Sequence, residues 1–162
     1  MTDTQTMPTA RHELVLERVF DATPDRVYRA WTDPAVLKKW FAPKPFTTPI
    51  AELDVRPGGS STIVMRGPDG KDYPNRGVYL EVVPGRRLVS TDAYVSAWVP
   101  SEQPYMTLDL SFEDLGDGRT KATYRVRHWS AEAQEEHVQR GFYEGWGKCA
   151  DQLAELFAGG EA

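Results

Sequence analysis

The chain has 162 residues, nineteen of them basic and twenty-four acidic, so one domain with its own core fits and the formal net charge is −5. That mild acidity, with Arg86-Arg87 flanking a turn and Arg125–Arg127 lying along a strand, speaks against nucleic-acid binding. A lone cysteine, Cys149, excludes an intramolecular disulfide and a thiolate zinc cluster; no apolar run nears the ~20 residues of a membrane span, polar Met1–Ala10 has no signal core, and the expected setting is cytoplasmic.

In chain order, residues 1–10 read as a disordered tail, 11–158 as a single domain and 159–162 as a second tail. The first strand is expected over Arg11–Phe20, with Leu14, Leu16 and Phe20 on one face. Thr23-Pro24-Asp25 is a helix start, an N-cap followed by proline and an acid, and its helix runs to Trp31. Asp33-Pro34 repeats the signal for a second short helix ending near Trp40. From Phe46 the apolar period changes to two, which predicts strands Thr48–Val55, Ser60–Arg66, Tyr73–Val83, Arg87–Val95, Tyr105–Glu113 and Arg119–His128. Pro57-Gly58-Gly59, Pro68-Asp69-Gly70, Pro84-Gly85 and Gly116-Asp117-Gly118 separate them as turns. Met106, Leu108, Leu110 and Phe112 form one inner set, and Ala122, Tyr124, Val126 and His128 the next. Ser130 then caps a helix expected to run unbroken to Phe157, with Val138, Phe142, Trp146, Cys149, Leu153 and Leu156 as its apolar stripe. The expected architecture is α+β: a curved antiparallel sheet of about six or seven strands around a long C-terminal helix, with two short helices after the first strand.

Several segments are more specific than this pattern. They are Ala22-Thr23-Pro24, Val27-Tyr28-Arg29-Ala30-Trp31-Thr32-Asp33-Pro34, Trp40-Phe41 and Asp54-Val55-Arg56-Pro57-Gly58-Gly59. Glu81-Val82-Val83-Pro84-Gly85-Arg86-Arg87-Leu88, Arg127-His128-Trp129 and Gly141-Phe142-Tyr143-Glu144-Gly145-Trp146 complete the set. With these residues the chain, from about Glu13 to Phe157, resembles the START-like (SRPBCC, Bet v-like) helix-grip superfamily. Within it the chain is similar to the branch related to the C-terminal domain of Aha-type activators of a heat-shock chaperone ATPase. The resemblance implies the helix-grip fold. For function it implies a range, because members bind lipids, hormones or polyketides and some catalyse cyclisation or hydrolysis. True chaperone activators also carry a separate N-terminal docking domain, for which these 162 residues are expected to leave no room.

Two residues stand out as candidates for chemistry. His128 points inward by strand phase at the end of its strand, where an imidazole can act as acid, base or hydrogen-bonding anchor, or simply be satisfied by backbone. Glu135 falls on the apolar side of the C-terminal helix near its start, which suggests a Glu135–His128 pair at a pocket rim. His137 is placed about 130° from the stripe, on the solvent side. Asp92 faces inward or outward according to which of two registers its strand adopts. Gly141, Gly145 and Gly147 are expected inside the helix, either for close packing or for ligand access. Cys149 reads as a buried small hydrophobe rather than a nucleophile.

The aromatic and apolar residues expected to line a cavity are Trp40, Phe41, Met65, Tyr79, Tyr94, Trp98, Met106, Leu108, Tyr124, Phe142 and Trp146, joined by His128. Residues 95–104 read as a lid over one end, with Trp98 as gate or anchor. The expected function is binding of a small hydrophobic or aromatic molecule, lipid- or polyketide-like, between sheet and helix. Its alternatives are a cyclase- or hydrolase-like enzyme acting on such a ligand, and a chaperone co-factor-like interaction module. No metal or cofactor is expected, nor membrane insertion, and the chain is read as a monomer or homodimer.

Overall fold

Strand β1 (Glu13–Phe20) opens the fold, and two capped helices follow at once. The structure, a computed structural model, describes residues 12–162; the tail expected over residues 1–10, and Arg11 of the expected first strand, lie outside the described residues. Helix α1 (Pro24–Thr32) begins at Thr23, whose hydroxyl oxygen accepts from the Arg26 N–H, and proline takes the first helical position, where its missing N–H costs nothing. Asp33 ends α1 by donating its N–H to the Arg29 carbonyl. The same residue starts α2 (Pro34–Trp40) by accepting from the Ala35 N–H at 3.0 Å. One residue is both stop and start, so no loop separates the helices.

Eight further strands follow: β2 (Thr47–Leu53), β3 (Ser60–Arg66), β4 (Asp72–Val83), β5 (Arg87–Thr91), β6 (Tyr94–Ser96), β7 (Val99–Pro100), β8 (Thr107–Gly116) and β9 (Arg119–Arg127). Seven strands form one antiparallel sheet in the order β1-β9-β8-β5-β4-β3-β2, while β6 and β7 make a separate small ribbon. The expected strand Arg87–Val95 therefore stops at Thr91. Asp92 ends it, because its carboxylate accepts from the backbone N–H groups of Tyr105 (2.7 Å) and Met106 (3.0 Å), which anchors both ends of the loop carrying the ribbon.

Alternation sorts the two faces as the period of two requires. Leu110, Phe112, Ala122, Tyr124 and Val126 are buried on the concave face against α1, α2 and the C-terminal helices. The convex face carries a ladder of charge across four strands. Asp109, 5% exposed, accepts from Arg87 at 3.1 and 2.8 Å and from Arg127 at 3.2 Å, and Arg127 also donates to Glu13 at 3.1 Å. Opposite charges placed this way hold the register of β1, β9, β8 and β5.

The C-terminal helix is where expectation and structure part. Instead of one helix from Ser130 to Phe157 there are two, α3 (Ala131–Gln139) and α4 (Phe142–Ala158). Gly141 separates them at φ +94°, in the left-handed region that glycine enters without penalty, and its N–H closes the last turn of α3 on the Val138 carbonyl at 3.0 Å. Helix α4 lies across the concave face and meets α2 and β1, with Arg18 of β1 paired to Asp151. Buried Gln152 ties α4 to the chain after α2: its amide donates to the Trp40 and Ala42 carbonyls (3.0 and 2.8 Å) and its oxygen accepts from the Lys44 N–H (2.9 Å). Residues 159–162 fold back rather than trail away, with the Glu161 N–H on the Leu156 carbonyl and the Arg26 guanidinium on the Ala162 carbonyl oxygen at 2.7 Å.

Gly145 is a different case from Gly141. A Cβ built at Gly145 or Gly147 meets no atom within 4 Å, so the close packing considered for these glycines is absent. Substitutions at the two sites should therefore differ in sign. Gly141→Ala is expected to cost about 1–2 kcal/mol through its positive φ, and Gly145→Ala to gain up to about 1 kcal/mol of helix propensity, both read from urea unfolding midpoints.

Candidate ligand-binding site

The strands β3 and β4 curve away from α4, and a hollow opens between them. It has two adjoining lobes of about 440 and 340 Å³. Trp31, Phe41, Asn75, Asp92, Met106 and Trp146 border both, so the lobes form one continuous space. Ile63, Tyr79, Leu88, Ser90 and Leu108 line the sheet-side lobe, with Val95, Ser101 and Gln103 of the ribbon loop at its edge. Met65, Tyr105, Tyr124, His137, Phe142 and Cys149 line the helix-side lobe, where Trp40 and Gly145 also contribute.

Most residues expected at a cavity border this one: Trp40, Phe41, Met65, Tyr79, Met106, Leu108, Tyr124, Phe142 and Trp146. Tyr94 and Trp98 do not. Alternation on the short β6 strand turns Val95 to the hollow and Tyr94 away from it; Trp98, at the ribbon turn with φ +62°, is 83% exposed and meets Tyr94 edge-on at 5.6 Å. Asp92 takes the inward alternative. Burial raises its pKa, and the backbone N–H groups of Tyr105 and Met106 oppose that rise.

The histidines need a larger correction. His128 is buried, as strand phase requires, but it lies behind the cavity wall rather than in it. Its Nδ1 is 3.0 Å from the His12 carbonyl oxygen and its Nε2 is 2.8 Å from Nδ1 of His137. His137, assigned to the solvent side, is 8% exposed and lines the helix-side lobe. Glu135, assigned to the inner side, is exposed and accepts from the Gln139 side chain at 3.1 Å, so the structure forms no Glu135–His128 pair. Both errors have one cause. A wheel drawn for a continuous helix carries the phase of Phe142 and Cys149 back through Gly141, where the backbone breaks it. The signals that could have found His137 were Ser130, which gives α3 its own start, and a glycine directly after Arg140.

Burial and the nearby His128 and Arg140 push the His137 imidazole down to about 4. Its ring sits among Tyr105 and Phe142, both 4.9 Å away, and Trp146 at 6.3 Å. Tyr124, 2% exposed, borders the same lobe, but its hydroxyl is buried without a full hydrogen bond; burial raises its pKa, and the Trp31 side chain opposes that rise. The indole N–H of Trp31 is also without a full hydrogen bond; its ring meets Tyr124 edge-on at 5.7 Å. The Cys149 thiol donates to the Phe41 carbonyl at 2.8 Å, and burial pushes it up to about 12, which suits a packing role and not a nucleophile. Among the described residues no group of three His, Cys, Asp or Glu side chains is placed to hold a metal ion, and no helix is long and apolar enough to cross a membrane.

Residues 21–158 match the family described as "Activator of Hsp90 ATPase homolog 1-like protein". Protein NE0264 from Nitrosomonas europaea is similar in both sequence and structure, with 36% identity and a TM-score of 0.87 over 92% of this chain and 96% of that one. Protein CV1439 from Chromobacterium violaceum shares 31% identity at a TM-score of 0.72, over 90% of this chain and 96% of that one. Protein Ms6760 from Mycobacterium smegmatis shares 28% identity at a TM-score of 0.77, over 91% of each chain. No curated protein matches the chain.

A pH dependence follows from His137. Its folded-state pKa lies below the ordinary value of 6.5, so the unfolded chain binds this proton more readily. The contribution to stability is complete above about pH 6.5 and is lost as pH falls toward 4, by about 2 kcal/mol after allowance for solvent at the lobe. Urea unfolding at several pH values should show that slope, and His137→Phe should flatten it.

Proposed function

We propose that this chain, which belongs to the Activator of Hsp90 ATPase homolog 1-like family, binds a small hydrophobic or aromatic molecule in the hollow between its sheet and helix α4. The observation that carries this reading is the two-lobed hollow itself, walled largely by aromatic and apolar side chains with a few polar groups, Asn75, Asp92, His137 and Arg140, at its border. Apolar surface left unfilled inside a domain forgoes packing, and a ligand of matching shape regains it. The aromatic rings of Trp31, Phe41, Phe142 and Trp146 supply faces and edges for a flat molecule. An interaction module would instead present one broad apolar face, whereas the exposed large side chains Val19, Trp98 and Trp129 are dispersed along the chain, on β1, at the β6–β7 turn and in the β9–α3 connection. The acid–base alternative loses its proposed pair, because Glu135 points away from His128.

The test is native mass spectrometry of freshly purified protein, with solvent extraction of what it carries. A stoichiometric apolar passenger is the expected result. Protein that arrives empty and whose tryptophan emission is unchanged by naphthalene-sized aromatics would remove the reading. Gly145→Leu, which puts a side chain where a Cβ meets nothing within 4 Å, is expected to weaken binding at least tenfold while leaving the unfolding midpoint equal or higher.

A further inference from the structure

We propose that the helix-side lobe selects aromatic ligands that carry a hydroxyl or ring N–H, because His137 presents a bare Nε2 lone pair to it. This rests on the binding function proposed above and names the ligand class for that site. Counting protons along the histidine pair fixes the tautomer of His137. The His12 carbonyl oxygen can only accept, so Nδ1 of His128, 3.0 Å away, carries a proton. In a neutral ring the other nitrogen is then an acceptor, so His128 Nε2 must receive its hydrogen bond from Nδ1 of His137 at 2.8 Å. That places the single proton of neutral His137 on Nδ1. Its Nε2 has no hydrogen-bond partner among the described residues, and the ring borders the cavity.

A backbone carbonyl at the start of β1 thus sets the chemistry of an atom in the lobe, through two rings. The edge-on contacts of His137 with His128 (5.0 Å, 77°) and Phe142 (4.9 Å, 74°) hold its plane, so the lone pair has a fixed direction. The groups that face the pair come from every neighbouring element: Asp92 from the end of β5, Tyr105 from the segment before β8, and Arg140 from the end of α3. Burial, His128 and Arg140 together keep His137 neutral through the physiological range. A ligand hydroxyl or N–H can donate to Nε2. A ligand that offers only acceptor oxygens would leave this nitrogen unpaired and lose the hydrogen bond. His128 acts through His137 and is a positioning residue; His137 is the contact.

The probes are 2-naphthol and its methyl ether, 2-methoxynaphthalene, titrated against the full chain by tryptophan fluorescence at pH 7. Long-range 1H–15N spectra of the histidine side chains are recorded in parallel. The free protein is expected to show both histidines with the proton on Nδ1. Naphthol should bind roughly threefold to tenfold more tightly than the ether and move the Nε2 resonance of His137. His137→Phe should bind the two probes equally, and naphthol affinity in the parent should fall as pH drops toward 4. A His137 that carries its proton on Nε2 in the free protein would overturn the inference without any ligand. Equal affinity of the parent for the two probes would overturn the selectivity while leaving the binding function standing. If neither probe binds, the aromatic-ligand inference is overturned, and the binding function then stands or falls with the native mass spectrum.

Discussion

The left-handed turn at Gly141 is the constraint on which the site depends. Without it, α3 and α4 would be one rod, and the first two turns of that rod would present Glu135 to the cavity and His137 to solvent. With it, α3 keeps the phase set by its Ser130 cap, and α4 begins afresh on the concave face. The break costs little because glycine has no Cβ to clash at positive φ, and the Val138 carbonyl is satisfied by the Gly141 N–H itself. A histidine is delivered to the lobe by backbone geometry rather than by sequence spacing along one helix.

The hollow exists because the frame around it is satisfied first. On the convex face, Asp109 and Glu13 are clasped by arginines of neighbouring strands, so the half of the sheet nearest β1 is held in register. On the helix side, Gln152 occupies three backbone groups of the chain leaving α2 and fixes α4 at that end. Asp92 anchors the loop that carries the β6–β7 ribbon at the other. Between these points the strands β3 and β4 diverge from the helix, and the aromatic side chains there do not fill the gap. Behind this lining the Tyr124 hydroxyl and the Trp31 indole N–H are buried against each other without a full hydrogen bond.

Membership of a family specifies this architecture and says less about chemistry. The similarity to NE0264 runs over 92% of the chain, and it accounts for the sheet, the paired short helices and the helix that crosses them. What an occupant would meet is set by a handful of side chains whose roles depend on each other. The state of His137 depends on His128, which depends on a carbonyl of His12; the thiol of Cys149 is turned to the Phe41 carbonyl and away from chemistry.

By itself the sequence determined what local rules govern. The caps at Thr23 and Asp33 announce two helices, the period of two from Thr107 to Arg127 sorts inside from outside, and the Pro–Gly and Gly–Asp–Gly signals place hairpins. Those rules act over a few residues and survive whatever the rest of the chain does. The strand bearing Asp92 was ambiguous, since both of its faces carry mixed residues, and only pairing with the Tyr105 and Met106 backbone settled it inward. The residue type of Trp98 suggests a cavity aromatic, yet the ribbon turn leaves it in solvent. The tertiary structure alone decided the histidine pair, because a wheel extrapolates phase through every residue and the backbone does not. One positive φ at Gly141 reset that phase, and a hydrogen bond spanning nine residues, His128 to His137, then fixed the result.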